Sequence, residues 1–190
     1  MNCALCKEKA CYSGRDCTTI REDVENEYVG DAFKSMRVSA DIESKYYMQK
    51  TRLEELILYA KSMDYSTLGV AFCIGLEKES EVLHNILDKD FEVHSVCCKV
   101  CGIDKNVFTL ERLHNYEGVE ATCNPIGQAM VLNNEQTELN IIVGLCIGHD
   151  TLFTKYSNAP VTTFAVKDRV LAHNPLGAIY SNYYQKKGFM

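Results

Sequence analysis

The residues with the most chemical capacity in this sequence are its ten cysteines. Four of them, Cys3, Cys6, Cys11 and Cys17, fall at the spacing C-x2-C-x4-C-x5-C. Four thiolates satisfy a tetrahedral zinc or hold an iron–sulfur cluster, and a C-x2-C pair supplies the tight bite that either needs. The segment around them is short, polar and without periodic apolar residues, so it has no core in which a cysteine could serve as a small hydrophobe. Its spacing matches neither the bacterial ferredoxin run nor a plain zinc ribbon, which leaves the metal open.

The other six cysteines belong to a different texture. Cys73 and Cys146 close the apolar runs LGVAFCIG, from Leu68, and IIVGLCIG, from Ile141. Short runs rich in β-branched residues read as buried parallel strands. In an open α/β sheet, ligands bind beyond the carboxyl ends of such strands, so both thiols are expected on that edge. Cys123 and His173 open the blocks CNPIG and HNPLG. There Asn124 or Asn174 suits an N-cap and Pro125 or Pro175 the first helical position. Each candidate ligand then sits just ahead of a helix whose free amides and dipole favour a thiolate.

Cys97, Cys98 and Cys101 follow the run FEVHSVCC as C-C-x2-C, with Cys98 and Cys101 the better pair by spacing. Such clustering fits a soft-metal site or a redox-active dithiol. His149 offers an added ligand and Asp150 a helix cap. Lys167, Asp168 and Arg169 follow the last apolar run, either as a solvated loop or as surroundings for an anion or cluster. His84, His94 and His114 have no comparable setting and read as structural or surface histidines. The Walker loop, the complete G-x-G-x-x-G, G-x-S-x-G and H-E-x-x-H are all absent from the sequence.

The elements that must position these groups can be read from periodicity. Thr19 and Glu22 fit a capping box, after which Val24, Tyr28, Ala32, Phe33 and Met36 recur at helical spacing. A second helix carries Ile42, Tyr46, Leu53, Leu56, Ile57, Ala60 and Met63. Beyond Ser66, strand and helix patterns alternate, which gives βαβ units. This part also repeats internally: strand, Cys-Ile-Gly, helix, strand, then Cys or His before Asn-Pro-x-Gly and a helix. The first copy carries an insertion around CCKVCG. A pseudo-twofold relation would pair Cys73 with Cys146 and Cys123 with His173, and predicts that all four converge. The expected fold is α/β, a largely parallel sheet of two related βαβ-containing halves. Its expected divisions are a Cys-rich metal-binding knuckle over 1–20, a helical hairpin over 21–64 and the α/β domain over 65–190.

Composition narrows the function. The chain has 190 residues, 46% apolar and 24% charged, with 20 basic against 26 acidic side chains and a net charge of -6. At this length a single hydrophobic core suffices without disulfide staples. The opening MNCALCKEK lacks the apolar run of a signal peptide, so the expected compartment is the cytoplasm, with reduced thiols. The longest apolar runs are about half the ~20 residues of a spanning helix, which argues against a membrane. An acidic chain without a basic block argues against nucleic acid. A redox partner or another protein remains the expected kind of partner.

The cysteine-rich opening, the FCIG and LCIGHDTLFTKYS stretches, CNPIGQAM and VKDRVLAHNPLGAIYS together resemble the family known as domain of unknown function 1847. The resemblance implies metal binding through these Cys and His positions and brings no catalytic role with it. The expectation is a metal-binding protein with one centre in the knuckle and another at the sheet edge, engaged in metal or electron handling. Six cysteines near one edge exceed what a single zinc needs and favour an iron–sulfur cluster there. The alternative is a thiol-dependent enzyme acting through Cys123, or through Cys98 and Cys101, on a small anion near Lys167 and Arg169.

Overall fold

The structure is a computed structural model that describes residues 1–113 and 117–189, with side chains through 187. His114 lies outside the described residues. The chain divides into two compact units, Met1–Gln49 and Lys50–Met190. The division falls within the second expected helix, between Tyr46 and Leu53.

In the first unit, short 3-10 turns at Cys3–Leu5 and Ala10–Ser13 are followed by helices α1 (Arg21–Glu27) and α2 (Gly30–Tyr46). The expected capping box is not formed. Ile20 occupies the N-cap of α1 and makes no side-chain capping bond. The second expected helix is two segments, because Ile42 and Tyr46 end α2 whereas Leu53 to Ala60 belong to α3 (Arg52–Ser62) in the second unit. A capping box does form at that break. Thr51 accepts from Glu54 N–H, and the Glu54 carboxylate accepts from Thr51 N–H at 2.8 Å.

The second unit is built on four strands: β1 (Thr67–Phe72), β2 (Glu92–Cys97), β3 (Leu139–Val143) and β4 (Val161–Ala165). All pairings are parallel and the order is β2-β1-β3-β4. Helix α4 (Glu77–Leu87) joins β1 to β2 and α6 (His149–Tyr156) joins β3 to β4, so the two βαβ halves meet where β1 and β3 lie side by side. Strand alternation sends Leu68, Val70, Ile141 and Val143 toward α3 and α4, where they pack with Leu56, Ala60, Leu83 and Leu87. Ala71 and Ile142 face the other way, onto Ala129 and Leu132 of α5 (Pro125–Asn134) and Phe153 of α6. The sheet is therefore covered on both faces, as its near-continuous apolar strands require.

Two devices fix the register. Glu138 accepts from Ser66 N–H at 2.6 Å and from Thr67 N–H at 3.0 Å, tying the start of β3 to the start of β1. Gly69 stands opposite Asn140, whose amide fills the space a side chain would take; a Cβ at Gly69 would lie 2.0 Å from Asn140 Oδ1. Asn140 spends its own groups on Thr137 and Ser157, both at 2.8 Å. Among the described residues no helix is long and apolar enough to cross a membrane.

Candidate functional site

The ladder continues past the strand ends and carries the thiols with it. Cys73 N–H donates to Val143 O at 3.1 Å and Cys98 N–H to Phe72 O at 2.8 Å. Because Phe72 pairs with Cys97, the residues that follow, Cys73 and Cys98, meet at the carboxyl edge. This is the point where the two halves of the sheet diverge from their central strands, the place where an open α/β sheet leaves a crevice.

The insertion brings a third thiol to the same point. Its two ends are closed by Thr122 N–H on Ile103 O at 2.7 Å and by a Lys105–Glu120 ion pair at 2.7 Å. Asn124 N–H then donates to Cys98 O at 2.8 Å, while its side chain caps α5 by accepting from Gly127 N–H at 2.9 Å. Cys123, immediately before this cap, is thereby set with its sulfur 3.8 Å from that of Cys98.

Cations surround the group. Lys99 Nζ lies 2.7 Å from Ala121 O and 3.5 Å from Cys123 Sγ. His149 lies against Cys123, and Lys167 against Cys73. Lys167 reaches Cys73 over Gly75, where an added Cβ would lie 3.2 Å from its Nζ. Arg169 Nη2 donates to Cys146 Sγ at 3.0 Å and is also within electrostatic reach of Cys73 and Cys123.

These neighbours split the thiols into two kinds. Cys98, which lies against the sulfurs of both Cys123 and Cys73 and is only 2% exposed, is pushed well above the ordinary thiol range by those contacts and by burial. Cys73 is held down to about 5, chiefly by the Cys98 thiol and then by Gly75 N–H and Lys167. Cys123 is held down to about 3 by the Cys98 thiol and the His149 imidazole, with Lys99 adding to it. The same contact with Cys123 pushes His149 up. A protonated thiol thus stands between two thiolates, each with its own cation.

The expected site residues separate accordingly. Cys73, Cys98, Cys123 and His149 form one connected group, with Lys167 against Cys73; Cys146 and Arg169 pair beside it. Cys101 is exposed, in a left-handed conformation (φ 70), so the partner that Cys98 meets is Cys123. Among the described residues, Cys97 Sγ accepts from Lys99 N–H at 3.5 Å. His173 does not occupy the place corresponding to Cys123. Its Nδ1 accepts from Asp168 N–H at 3.1 Å, and Asp168 Oδ1 accepts from Val170 and Leu171 N–H, so both close a local turn. The HNPLG block differs from CNPIG in its cap as well: Asn174 caps nothing, and α7 (Leu176–Tyr180) begins after Pro175. The knuckle thiols Cys3, Cys6, Cys11 and Cys17 are all exposed. Among the described residues, no three His, Cys, Asp or Glu side chains close into a metal-binding group, the sheet-edge thiols being linked pairwise.

Two contributors were not singled out from the sequence. Lys99 directly follows Cys98, and its place in CCK next to a thiol pair was the available signal. Gln128 lies four residues after the cap Asn124, hence on the same face of α5. It is fully buried and its Nε2 donates to Phe72 O at 3.1 Å and Val96 O at 2.7 Å, fixing the strand ends that carry Cys73 and Cys98. Its Oε1 has no hydrogen-bond partner among the described residues.

Fold and site together define an α/β protein with an open parallel sheet whose switch point carries a cluster of cation-flanked thiols. The chain belongs to the family of proteins of unknown function DUF1847, which matches residues 11–164. It is 59% identical over 189 residues to an uncharacterized protein, MJ0455, of Methanocaldococcus jannaschii, an alignment covering 98% of this chain and 97% of that relative. No solved structure matches it.

Proposed function

We propose that this protein is a cytoplasmic metal-binding protein whose main centre uses Cys73, Cys98, Cys123 and His149. The observation that carries the reading is the 3.8 Å separation of the Cys98 and Cys123 sulfurs. Two thiolates on one tetrahedral ion at bonds of ~2.3 Å stand ~3.8 Å apart, whereas a cubane cluster attaches each thiolate to a different iron and needs them farther apart. Three thiolates and one imidazole are also a common structural zinc set. Spacing therefore favours a single ion here over a cubane cluster, and the donor set of three thiolates and one imidazole favours zinc and with it metal handling over electron transfer. Lys99, Lys167 and Arg169 would offset the surplus negative charge of three thiolates on a divalent ion.

Metal analysis of anaerobically purified full-length protein tests this. Stoichiometric zinc without sulfide is expected, with the sheet-edge equivalent lost in Cys98→Ser and in Cys123→Ser, and thiolate charge-transfer absorption on cobalt substitution. Protein that binds neither zinc nor iron stoichiometrically would overturn the reading; iron with sulfide lost in the same variants would restore the cluster.

The knuckle is read as a second centre. Its supporting observation is that the first 49 residues bury a single side chain, Val38. A unit of that size without a core needs a staple, and four neighbouring thiols are suited to holding one.

A further inference from the structure

Cys98 and Cys123 are placed to bond to each other as well as to a metal. Their sulfurs are 3.8 Å apart, and the backbones beneath them are tied by the Asn124–Cys98 hydrogen bond at 2.8 Å. The loop between them is closed at its ends by Thr122 on Ile103 and by the Lys105–Glu120 pair. The two thiols are unequal in access and surroundings. Cys98 is 2% exposed, whereas Cys123 is half-buried, with Lys99 Nζ 3.5 Å from its sulfur and His149 against it. The third thiol, Cys73, touches Cys98 from the other side and is itself buried.

The geometry points to a reversible dithiol couple in which Cys123 is the attacking thiol, Cys98 the resolving thiol, and the oxidant a small-molecule disulfide. The Cys123 thiolate attacks one sulfur of the disulfide R–S–S–R, forming a mixed disulfide and releasing one R–S⁻. Cys98 then gives its proton to a released thiolate and attacks Cys123 Sγ, expelling the second R–S⁻. The two electrons lost by the protein sulfurs leave on the two R–S groups, one as R–S⁻ and one as R–SH. Cys123 is the more accessible of the two sulfurs, and burial of Cys98 keeps the external disulfide from adding there instead. The couple itself needs no metal. Its consequence for the metal rests on the proposed centre: closing the bond removes two of three thiolate ligands and releases the ion.

The test uses the full-length chain, reduced, freed of metal by a chelator and exposed to bis(2-hydroxyethyl) disulfide before alkylation and peptide mapping by tandem fragmentation. The expected product is a Cys98–Cys123 link formed ahead of any other, still formed in Cys73→Ser. In Cys98→Ser the reaction should stop at a mixed disulfide on Cys123; Cys98→Ala, with folding checked by circular dichroism, provides the same readout should the serine variant not fold. A first link between Cys73 and Cys98, a first link within the knuckle, or no link in folded protein would each overturn the proposal. The metal reading fails or stands separately, by zinc stoichiometry before oxidation: a link in a protein that never binds zinc upholds the couple alone. Zinc that stays bound to oxidised protein carrying the link would refute the release.

Discussion

Among single residues, His149 decides how Cys123 behaves. A free thiol titrates near 8.5 and loses about tenfold in thiolate for every pH unit below that. In metal-free protein Cys123 is held down to about 3 by Cys98 and His149, so its alkylation rate should stay nearly level from pH 9 to pH 5. His149→Gln removes the imidazole that opposes protonation. Its expected result is a rate that matches the natural protein at pH 9 and falls below it toward pH 5, read by mass-resolved alkylation of Cys123. An unchanged profile would assign the thiolate to Cys98 and Lys99 alone. The sequence indicated which residue types matter here but not which pairs meet. Cys98 and Cys101 have the tighter spacing, yet the chain turns left-handed at Cys101 and exposes it, while an insertion closed on itself returns Cys123 to Cys98 from 25 positions away. Such closure depends on pairs such as Lys105 with Glu120, which local pattern does not reveal.

At the scale of elements, the register of β1 against β3 sets where Cys73 and Cys146 emerge. Glu138 links the two strands through amides of Ser66 and Thr67, and these bonds hold its carboxyl below the ordinary value. A carboxyl depressed in the folded state contributes stability above its unfolded value of 4.5 and loses it as pH falls through the lower folded value. Glu138→Gln should therefore cost about 1 kcal/mol near neutrality, a figure reduced for solvent screening, and the difference from the natural protein should shrink in acid. Denaturant titrations at pH 7 and pH 3 measure both. Gly69→Ala is the harsher change, because its Cβ would meet Asn140 Oδ1 at 2.0 Å and Leu132 Cδ1 at 2.8 Å. A loss of about 3 kcal/mol is expected, from overpacking together with disturbance of the bonds Asn140 makes. The strands were legible from their β-branched runs because both faces are covered. The helix boundaries were less so: Thr19 and Thr51 both precede a glutamate by three positions, and only the second box forms. Its helix α3 has Leu56 and Ala60 buried on the sheet, whereas no residue of α1 is buried. Packing, which the capping motif does not encode, decides between them.

For the molecule as a whole, the contrast between the two units carries the last prediction. Both hydrophobic clusters of the second unit are made entirely of residues from Leu53 onward, so that unit has a core of its own. The first unit, with Val38 as its single buried side chain and four exposed cysteines, lacks the apolar burial that would offset the entropy of ordering α1 and α2. A metal held by Cys3, Cys6, Cys11 and Cys17 would supply that deficit, since binding energy at a site absent from the unfolded chain is folding energy. In the full-length protein, replacing Cys3 and Cys6 together by serine should remove one metal equivalent and part of the helical circular dichroism, while the cooperative unfolding of the sheet stays within about 0.5 kcal/mol. A chain beginning at Lys50 should unfold in the same cooperative transition. Retention of every metal equivalent in the double variant would remove the knuckle as a centre, and loss of the sheet's transition would show that the two units fold as one.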